Sequence, residues 1–171
     1  MDLHLEYSWE GRRGDPSKRG PLESHKHVIG SAELVDFPDW GVTGLRAKVD
    51  TGAKSSALHV ENILELPGGW VQFDVRLLRK DVQRRKRVHA RISRRGRVKP
   101  SSGETQARLF VKTRMRLGPV EREVEVSLVD RQRMIYRMLL GRTALAQSFL
   151  VDPGRRYVLR KPKKRSRKAR P

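Results

Sequence analysis

The tetrapeptide Asp50-Thr51-Gly52-Ala53 contains residue types that can present a carboxylate on a tight loop. Gly52 lets other backbone approach closely, and the Thr51 hydroxyl can hold the loop by hydrogen bonding. Two such carboxylates about 3 Å apart cannot both ionise, so they share one proton and can activate water against a peptide carbonyl. Aspartate and glycine are also routine turn residues, so these four residues alone fit an ordinary turn as well.

A second element, Met138-Leu139-Leu140-Gly141-Arg142, places glycine and arginine directly after an apolar run. The stretch from Met134 to Leu140 is nearly continuously apolar, which predicts a strand that is buried on both faces and ends at Gly141. The residues from Thr143 to Ser148 predict a short helix.

Alternating apolar and polar residues predict several half-buried strands. One short strand, with Leu45, Ala47 and Val49 as its apolar positions, ends at Asp50. Gly68-Gly69 and Gly118-Pro119 predict turns between others. Many short strands separated by Gly and Pro indicate an all-β sandwich or closed barrel. The apolar faces of the other strands are Val71, Phe73, Val75 and Leu77; Leu109, Val111, Thr113 and Met115; and Val124, Val126 and Leu128.

The charge distribution divides the 171 residues into three parts, with a net charge of +20 and no cysteine in the chain. Residues 1–27 lack any hydrophobic period and predict a disordered arm. Residues 28–159 form the predicted domain, and residues 160–171 form a polybasic tail. Without cysteine the chain has no disulfide, no thiol nucleophile and no thiolate zinc site.

A basic segment from Arg79 to Lys99 interrupts the strand pattern, because arginine clusters flank only a brief alternation at Val88, Ala90 and Ile92. This composition predicts an exposed basic hairpin. Ser101-Ser102-Gly103 predicts a flexible turn where the chain re-enters the domain.

Four blocks in this order resemble the bacterial retropepsin-like aspartic endopeptidase family, which is also labelled a putative ATP-dependent zinc protease. The blocks lie within residues 28–159. They are the run from Lys48 to His59, which contains Asp50-Thr51-Gly52-Ala53, then Ser101-Ser102-Gly103, Met138 to Leu145, and Phe149 to Gly154.

The resemblance implies a closed β-barrel with one short helix that acts as a homodimer. Asp50 would be the catalytic residue, Thr51, Gly52 and Ala53 its supporting loop, and Gly141 and Arg142 a structural brace. The basic hairpin from Arg79 to Gly103 would occupy the place of a flap over the cleft. The flap residues would include Arg97, Val98, Ser101, Ser102 and Gly103.

A single catalytic aspartate requires a second chain. The sequence has no second Asp-Thr-Gly or Asp-Ser-Gly, and Asp130 and Asp152 are poor substitutes because they lie in ordinary turn contexts. We therefore predict a homodimer. Lys54 stands where viral retropepsins commonly have an acidic residue. This cation could favour acidic substrate side chains, although an exposed lysine that serves only solubility is the favoured interpretation.

The zinc and ATP labels find no support in the residues. No His-Glu-x-x-His or cysteine pattern accompanies the histidines, and no phosphate-binding glycine loop occurs. We predict neither a metal nor another cofactor. His25 and His27 could grip a stray metal ion but fit polar surface better, and His59 fits a packing role behind the catalytic loop better than a catalytic one.

Two functions remain open from the sequence. The leading hypothesis is a homodimeric aspartic endopeptidase that acts on an acidic or ribosome-linked protein. The alternative is an inactive retropepsin-like basic module that binds RNA, the ribosome or a ligase partner. The basic tail could contact RNA without sequence preference. Trp9, Trp40 and Trp70 are dispersed along the sequence, away from the basic clusters, so they do not predict an aromatic nucleic-acid platform.

The start of the chain lacks a signal-peptide pattern, and no segment approaches the roughly 20 apolar residues that span a bilayer. These features predict a cytoplasmic protein without a membrane partner.

Overall fold

The computed structural model describes residues 26–77, 85–99, 103, 105–130 and 135–162, which form mostly β-strands. One α-helix, α1 (Arg142–Leu145), and two 3₁₀ turns (Pro38–Trp40 and Pro67–Gly69) accompany them in these residues. None of the helices described is long and apolar enough to cross a membrane. The strands are β1 (His27–Gly30), β2 (Ala32–Phe37), β3 (Val42–Val49), β4 (Ser56–Leu66), β5 (Trp70–Arg76), β6 (Arg85–Val98), β7 (Gln106–Leu117), β8 (Val120–Val129), β9 (Met138–Leu140) and β10 (Phe149–Asp152).

Seven strands close into a barrel in the order β2-β3-β9-β4-β5-β6-β7. The ring closes where Asp36 of β2 pairs with Arg116 of β7. Strand β8 lies between β4 and β7, parallel to β4 and antiparallel to β7. Strands β1 and β10 form a separate parallel pair. The prediction of an all-β closed barrel with one short helix is confirmed.

The hydrophobic core follows the predicted alternation. In β3, Leu45, Ala47 and Val49 are buried while the intervening Arg46 and Lys48 are exposed. The inward residues of β5 and β8 are buried in the same way. Because successive side chains of a strand point to opposite faces, this pattern fixes which face of each strand meets the core.

Trp40 is buried inside the barrel. Its ring centroid lies 4.9 Å from that of Phe37 and 5.5 Å from that of Phe73. Burial of one such aromatic side chain stabilises a fold by about 3 kcal/mol. This cluster ties the turn after β2 to strand β5.

Two predicted elements are shorter than the sequence pattern suggested. The strand predicted from Met134 to Leu140 covers only Met138–Leu140, because only these residues pair with β3, while Ile135 is 70% exposed. Residue 134 lies outside the described residues. The helix predicted from Thr143 to Ser148 covers Arg142–Leu145, and the positive φ of 72° at Gln147 is incompatible with its continuation.

The separate basic hairpin predicted from Arg79 to Lys99 is wrong in its described part. Residues 85–98 form β6, a 14-residue strand that pairs with β5 on one side and with β7 on the other. The physical reason is the short alternation inside the basic run, since Val88 and Ala90 are buried in the core. The remaining charges lie along an exposed strand face.

The predicted flap residues lie at the β6–β7 connection. Arg97 and Val98 end β6, opposite Ala107 and Gln106 of β7. Gly103 is described and has open space around it, while Ser101 and Ser102 lie outside the described residues. A flap function for this connection stays a prediction.

A buried carboxylate fixes the C-terminal segment to the barrel. Glu33 of β2 is fully buried, and its Oε1 accepts hydrogen bonds from the backbone N–H of Gly30 and of Val158, both at 2.8 Å. The Tyr157 N–H donates to the Ala32 carbonyl at 2.7 Å. Residues 157 and 158 are therefore part of the folded unit.

Asp36 extends this attachment to Arg160, the first residue of the predicted tail. The Asp36 carboxylate accepts two hydrogen bonds from the Arg160 guanidinium, at 2.6 and 3.0 Å, and one from the Gly44 N–H at 2.6 Å. Burial alone would raise the pKa of Asp36, but these bonds outweigh it and lower the pKa. The pair binds the chain to β2 up to residue 160.

Candidate active site

The Asp50 carboxylate is held by its own loop. Strand β3 ends at Val49, and the Asp50 N–H donates to the Leu140 carbonyl at 2.9 Å. The Asp50 Oδ1 atom accepts hydrogen bonds from the N–H groups of Gly52 and Ala53, both at 3.1 Å. Oδ2 has no hydrogen bond to any described residue. The two oxygens of this half-buried carboxylate are therefore chemically different.

Gly141 lies against the Asp50 loop with no room for a side chain. A Cβ atom at Gly141 would lie 2.5 Å from the carbonyl carbon and oxygen of Ser55. The Gly141 N–H also donates to the Ser56 Oγ at 3.1 Å. Two more backbone bonds continue this contact, from Arg142 N–H to Ala53 O at 2.9 Å and from Thr143 N–H to Lys54 O at 3.1 Å.

The Arg142 side chain completes the support of the loop. Its guanidinium donates to the carbonyl oxygens of Thr51 at 3.0 Å and of Gly52 at 2.8 Å. These bonds fix the two peptide groups whose other ends carry the N–H donors to Asp50 Oδ1. The geometry thus brings together all six predicted residues of the catalytic loop and its brace: Asp50, Thr51, Gly52, Ala53, Gly141 and Arg142.

If Asp50 is catalytic, we expect Arg142→Met to lower kcat about tenfold without unfolding the protein, because two charge-assisted hydrogen bonds to the Asp50 loop are lost. The measurement is steady-state peptide hydrolysis alongside thermal unfolding. Arg122→Met is a matched control, since the Arg122 guanidinium donates to the Ala146 carbonyl at 3.0 Å, outside the loop. Equal kinetic losses in both variants would contradict a specific role for Arg142.

His59 lies away from the Asp50 loop, three residues beyond Ser56 on β4. It is fully buried, its backbone N–H donates to the Arg137 carbonyl at 2.8 Å, and its Nε2 lies 3.6 Å from a Glu61 oxygen. Burial and the Arg137 charge lower its pKa below the usual 6.5, against the opposing influence of Glu61 and Asp130. The environment disfavours a charged imidazole and fits a packing role.

This lowered pKa predicts a loss of stability in mild acid. The unfolded chain binds a proton at His59 more readily than the folded one, so stability is fully present above about pH 6.5 and falls as the pH drops below it. Chemical denaturation from pH 7 to pH 5 should show a decline in the free energy of unfolding to which this group contributes. In His59→Gln this part of the decline should vanish; an unchanged slope would refute the assignment. Four carboxylates also have lowered pKa values, but they reduce stability only in stronger acid, where they become protonated. They are Asp36, Asp39, Asp74 and Glu125.

An open concavity of about 560 Å³ adjoins the loop. Arg94 and Lys112 on its wall are each paired with a carboxylate, Glu125 at 2.8 Å and Glu123 at 3.3 Å. Lys54 makes no ion pair with any described residue and is its uncompensated cation. The lining residues are Lys54, Ser55, Arg94, Lys112, Glu123, Val124, Glu125 and Thr143.

Sequence reasoning missed the far wall of this concavity. Arg94, Lys112 and Glu125 lie on β6, β7 and β8, and only the pairing of these strands brings them together. No local signal marks them, because each occupies an exposed strand position of ordinary type. No group of three or more potential metal ligands occurs among the residues the structure describes.

Residues 28–162 match the sequence model of a family described as RimB-like, retropepsin-like aspartic endopeptidase RimB. The chain belongs to this family. The resemblance inferred from the four sequence blocks is thereby confirmed. The match spans the barrel, the Asp50 loop and the C-terminal segment held by Glu33.

A solved structure supports the same assignment. A Legionella pneumophila protein of unknown function is 31% identical and superposes with a TM-score of 0.64, covering 80% of this chain and 99% of that protein. This chain and the Legionella protein thus share the barrel fold.

Curated relatives carry a different name. Proteins from Shewanella pealeana and Desulfotalea psychrophila, each named probable alpha-L-glutamate ligase, are 35% and 34% identical over 141 and 144 residues. These matches cover 81% and 82% of this chain but only 31% of each relative. The RimB-like chain therefore spans about a third of the length of these proteins.

Proposed function

We propose that the chain is one half of a homodimeric aspartic endopeptidase whose two Asp50 carboxylates face each other across the dimer axis. The observation that carries this proposal is the Asp50 carboxylate itself, with Oδ1 fixed by two backbone N–H groups and Oδ2 free of hydrogen bonds to the described residues. Membership of the RimB-like family supports it. One such carboxylate lacks the partner that proton sharing requires.

In the proposed reaction one Asp50 is ionised and the other protonated. The ionised carboxylate accepts a proton from a water molecule, which attacks the peptide carbonyl carbon. The protonated carboxyl donates its proton to the carbonyl oxygen, giving a tetrahedral diol. Collapse of the diol breaks the C–N bond: the carboxyl that took the water proton gives it to the leaving nitrogen, and the other carboxylate takes a proton from a diol hydroxyl as the new carbonyl forms. The dyad returns to one proton shared between two carboxylates.

Oδ2 is the reactive oxygen in this scheme. Oδ1 already accepts two N–H bonds, which stabilise negative charge on it and leave less of its lone-pair capacity for a proton. The shared proton and the water therefore belong on the Oδ2 side. The loop supplies this asymmetry through Gly52 and Ala53.

The substrate class we propose is an acidic peptide. Lys54 is the uncompensated cation of the concavity beside the loop. The name probable alpha-L-glutamate ligase of the relatives points in the same direction, because glutamate is an acidic amino acid. Carboxylate side chains near the scissile bond would pair with Lys54.

The substrate proposal predicts a selective effect of Lys54→Ala. We expect kcat/KM for glutamate-containing peptides to fall about threefold, as for a partly exposed ion pair, while glutamine analogues are unaffected. Lys48→Ala, which removes an equal charge from the exposed face of β3, is the control. Equal losses of kcat/KM for the glutamate and glutamine peptides would show that Lys54 does not recognise substrate charge.

The test of the enzyme proposal is cleavage of a degenerate peptide library by the full chain at several pH values, read by mass spectrometry. Activity per protomer should rise with protein concentration and level off as sedimentation shows a dimer. Full activity in a purely monomeric sample would overturn the shared dyad. A folded dimer that cleaves no peptide would overturn the proposal that the chain is a peptidase.

A further inference from the structure

The outer face of strands β5 and β6 combines an exposed indole with a row of cations. Trp70 is 42% exposed, and its register partner on β6 is Arg91. The Arg91 guanidinium carbon lies 5.8 Å from the centroid of the Trp70 ring. Residues opposite one another on antiparallel strands share a face. We call this surface the Trp70 face; it comprises Trp70, Gln72, Asp74, Arg76, Arg85, Arg87, His89 and Arg91.

The acidic group on these two strands is covered by arginine. Strand β6 contains no Asp or Glu, and β5 contains Asp74 alone. The Asp74 side chain is 2% exposed and lies under Arg87, which is 59% exposed and donates to both carboxylate oxygens, at 2.9 and 3.3 Å. Solvent at this surface therefore meets guanidinium groups, while the compensating carboxylate is buried.

The face of β7 and β8 makes the contrast clear. There the three exposed cations of β7 each meet a carboxylate: Lys112 with Glu123 at 3.3 Å, Arg114 with Asp39 at 2.6 Å, and Arg116 with Glu121 at 2.7 Å. On the Trp70 face, Arg91 is paired with an aromatic ring and with no carboxylate of the described residues. The positive charge of Arg91, beside Trp70, is thus not compensated by a carboxylate of the described residues.

We propose that the Trp70 face binds single-stranded nucleic acid, with an unpaired base stacked on Trp70 and phosphates bound by Arg85, Arg87 and Arg91. Stacking on an aromatic ring beside a cationic strand is how single strands are held without sequence preference. Arginine over the indole adds a cation–π contact that holds both groups in place. The net charge of +20 raises the local concentration of a polyanion at low salt. This function is independent of peptide hydrolysis at Asp50.

The first experiment measures binding of a labelled oligouridine to the full chain by fluorescence anisotropy. Trp70→Ala should weaken binding about tenfold or more, the cost of losing one base stack. Trp70→Phe, which keeps a ring, should stay within about threefold of wild type. Ile135→Ala, which removes an exposed apolar side chain elsewhere, should bind as wild type. Equal affinities for Trp70→Ala and wild type would overturn the proposal.

The second experiment separates a site from general electrostatic attraction. Arg91→Ala and Arg46→Ala each remove one exposed positive charge, from β6 and from β3. Only Arg91→Ala should weaken binding severalfold and reduce the slope of log K against log salt by about 0.7, the value for one phosphate contact to a single strand. Equal losses of affinity in both variants would overturn the proposal of a binding site at Arg91.

Competitors identify the ligand class. A blunt-ended, fully paired RNA duplex and polyglutamate should compete poorly, since neither offers an unpaired base. Effective competition by polyglutamate would make the face a docking surface for acidic protein instead. Oligodeoxythymidine of equal length separates DNA from RNA as the source of the single strand. Asp50→Asn should bind as wild type, so the outcome does not depend on the peptidase proposal.

Discussion

Asp50→Asn is expected to lower peptide hydrolysis by about 10²–10⁴-fold, the usual contribution of a group that transfers protons in the transition state. An amide in place of the carboxylate can neither accept the proton of the attacking water nor share one with its partner. The amide oxygen of the substituted side chain can still accept the N–H bonds of Gly52 and Ala53, so the loop should keep its shape. Thermal unfolding and dimerisation should therefore match wild type.

Asp152→Asn is the matched control for this experiment. The Asp152 Oδ1 atom accepts the Gly154 N–H at 2.9 Å in an Asp-x-Gly turn, the same local bond that Asp50 makes to Gly52. A turn aspartate outside the proposed dyad should be replaceable without loss of hydrolysis. Full activity in Asp50→Asn, or a comparable loss in Asp152→Asn, would contradict the assignment of the catalytic carboxylate.

Gly141→Ala is expected to cost about 3 kcal/mol of folding free energy, at the upper end for overpacking, and to abolish hydrolysis. The added Cβ would lie 2.5 Å from the Ser55 backbone, which cannot rotate away as a side chain can. Relief requires moving either β9 or the residues that follow the Asp50 loop. Denaturant titration and peptide hydrolysis measure the two effects.

Two glycine controls separate strain at the site from strain elsewhere. Gly103→Ala places a Cβ in open space and should change stability by less than about 0.5 kcal/mol. Gly118→Ala also produces a close approach, 2.6 Å from the Leu159 Cδ1, at a residue with a φ of 58° in the turn between β7 and β8. It should lower stability while leaving activity per folded molecule intact. Loss of activity in Gly118→Ala at a temperature where it is folded would show that Gly141 has no special link to catalysis.

Local patterns were enough to predict the strand class and the Asp50 loop. Leu45, Ala47 and Val49 alternate because one face of β3 meets the core, and that alternation is visible in any short window. The loop could be predicted because its residue types are chemically specific at adjacent positions. The Gly141 brace became meaningful only through the family resemblance, since a glycine after an apolar run has many uses.

Features that depend on strand pairing could not be predicted. In the sequence of β6 the many arginines hide the short apolar alternation of Val88 and Ala90. Hydrogen bonding to β5 and β7 nevertheless makes this strand part of the barrel. Trp70 lies 21 residues before Arg91, so their contact is visible only once the register of β5 and β6 is known. The start of β9 at Met138 is likewise visible only from its pairing, which begins opposite Ala47 of β3.

The attachment of the C-terminal segment to β2 also determines how the domain would carry mechanical load. A pull on the chain beyond residue 162 would reach β2 first, because Arg160 is bonded to Asp36 and Val158 to Glu33. Strand β2 is hydrogen-bonded to β3, which ends at Asp50. A tether at this end, whether a surface linkage or a fused protein, would therefore put tension on the strand pair that carries the carboxylate.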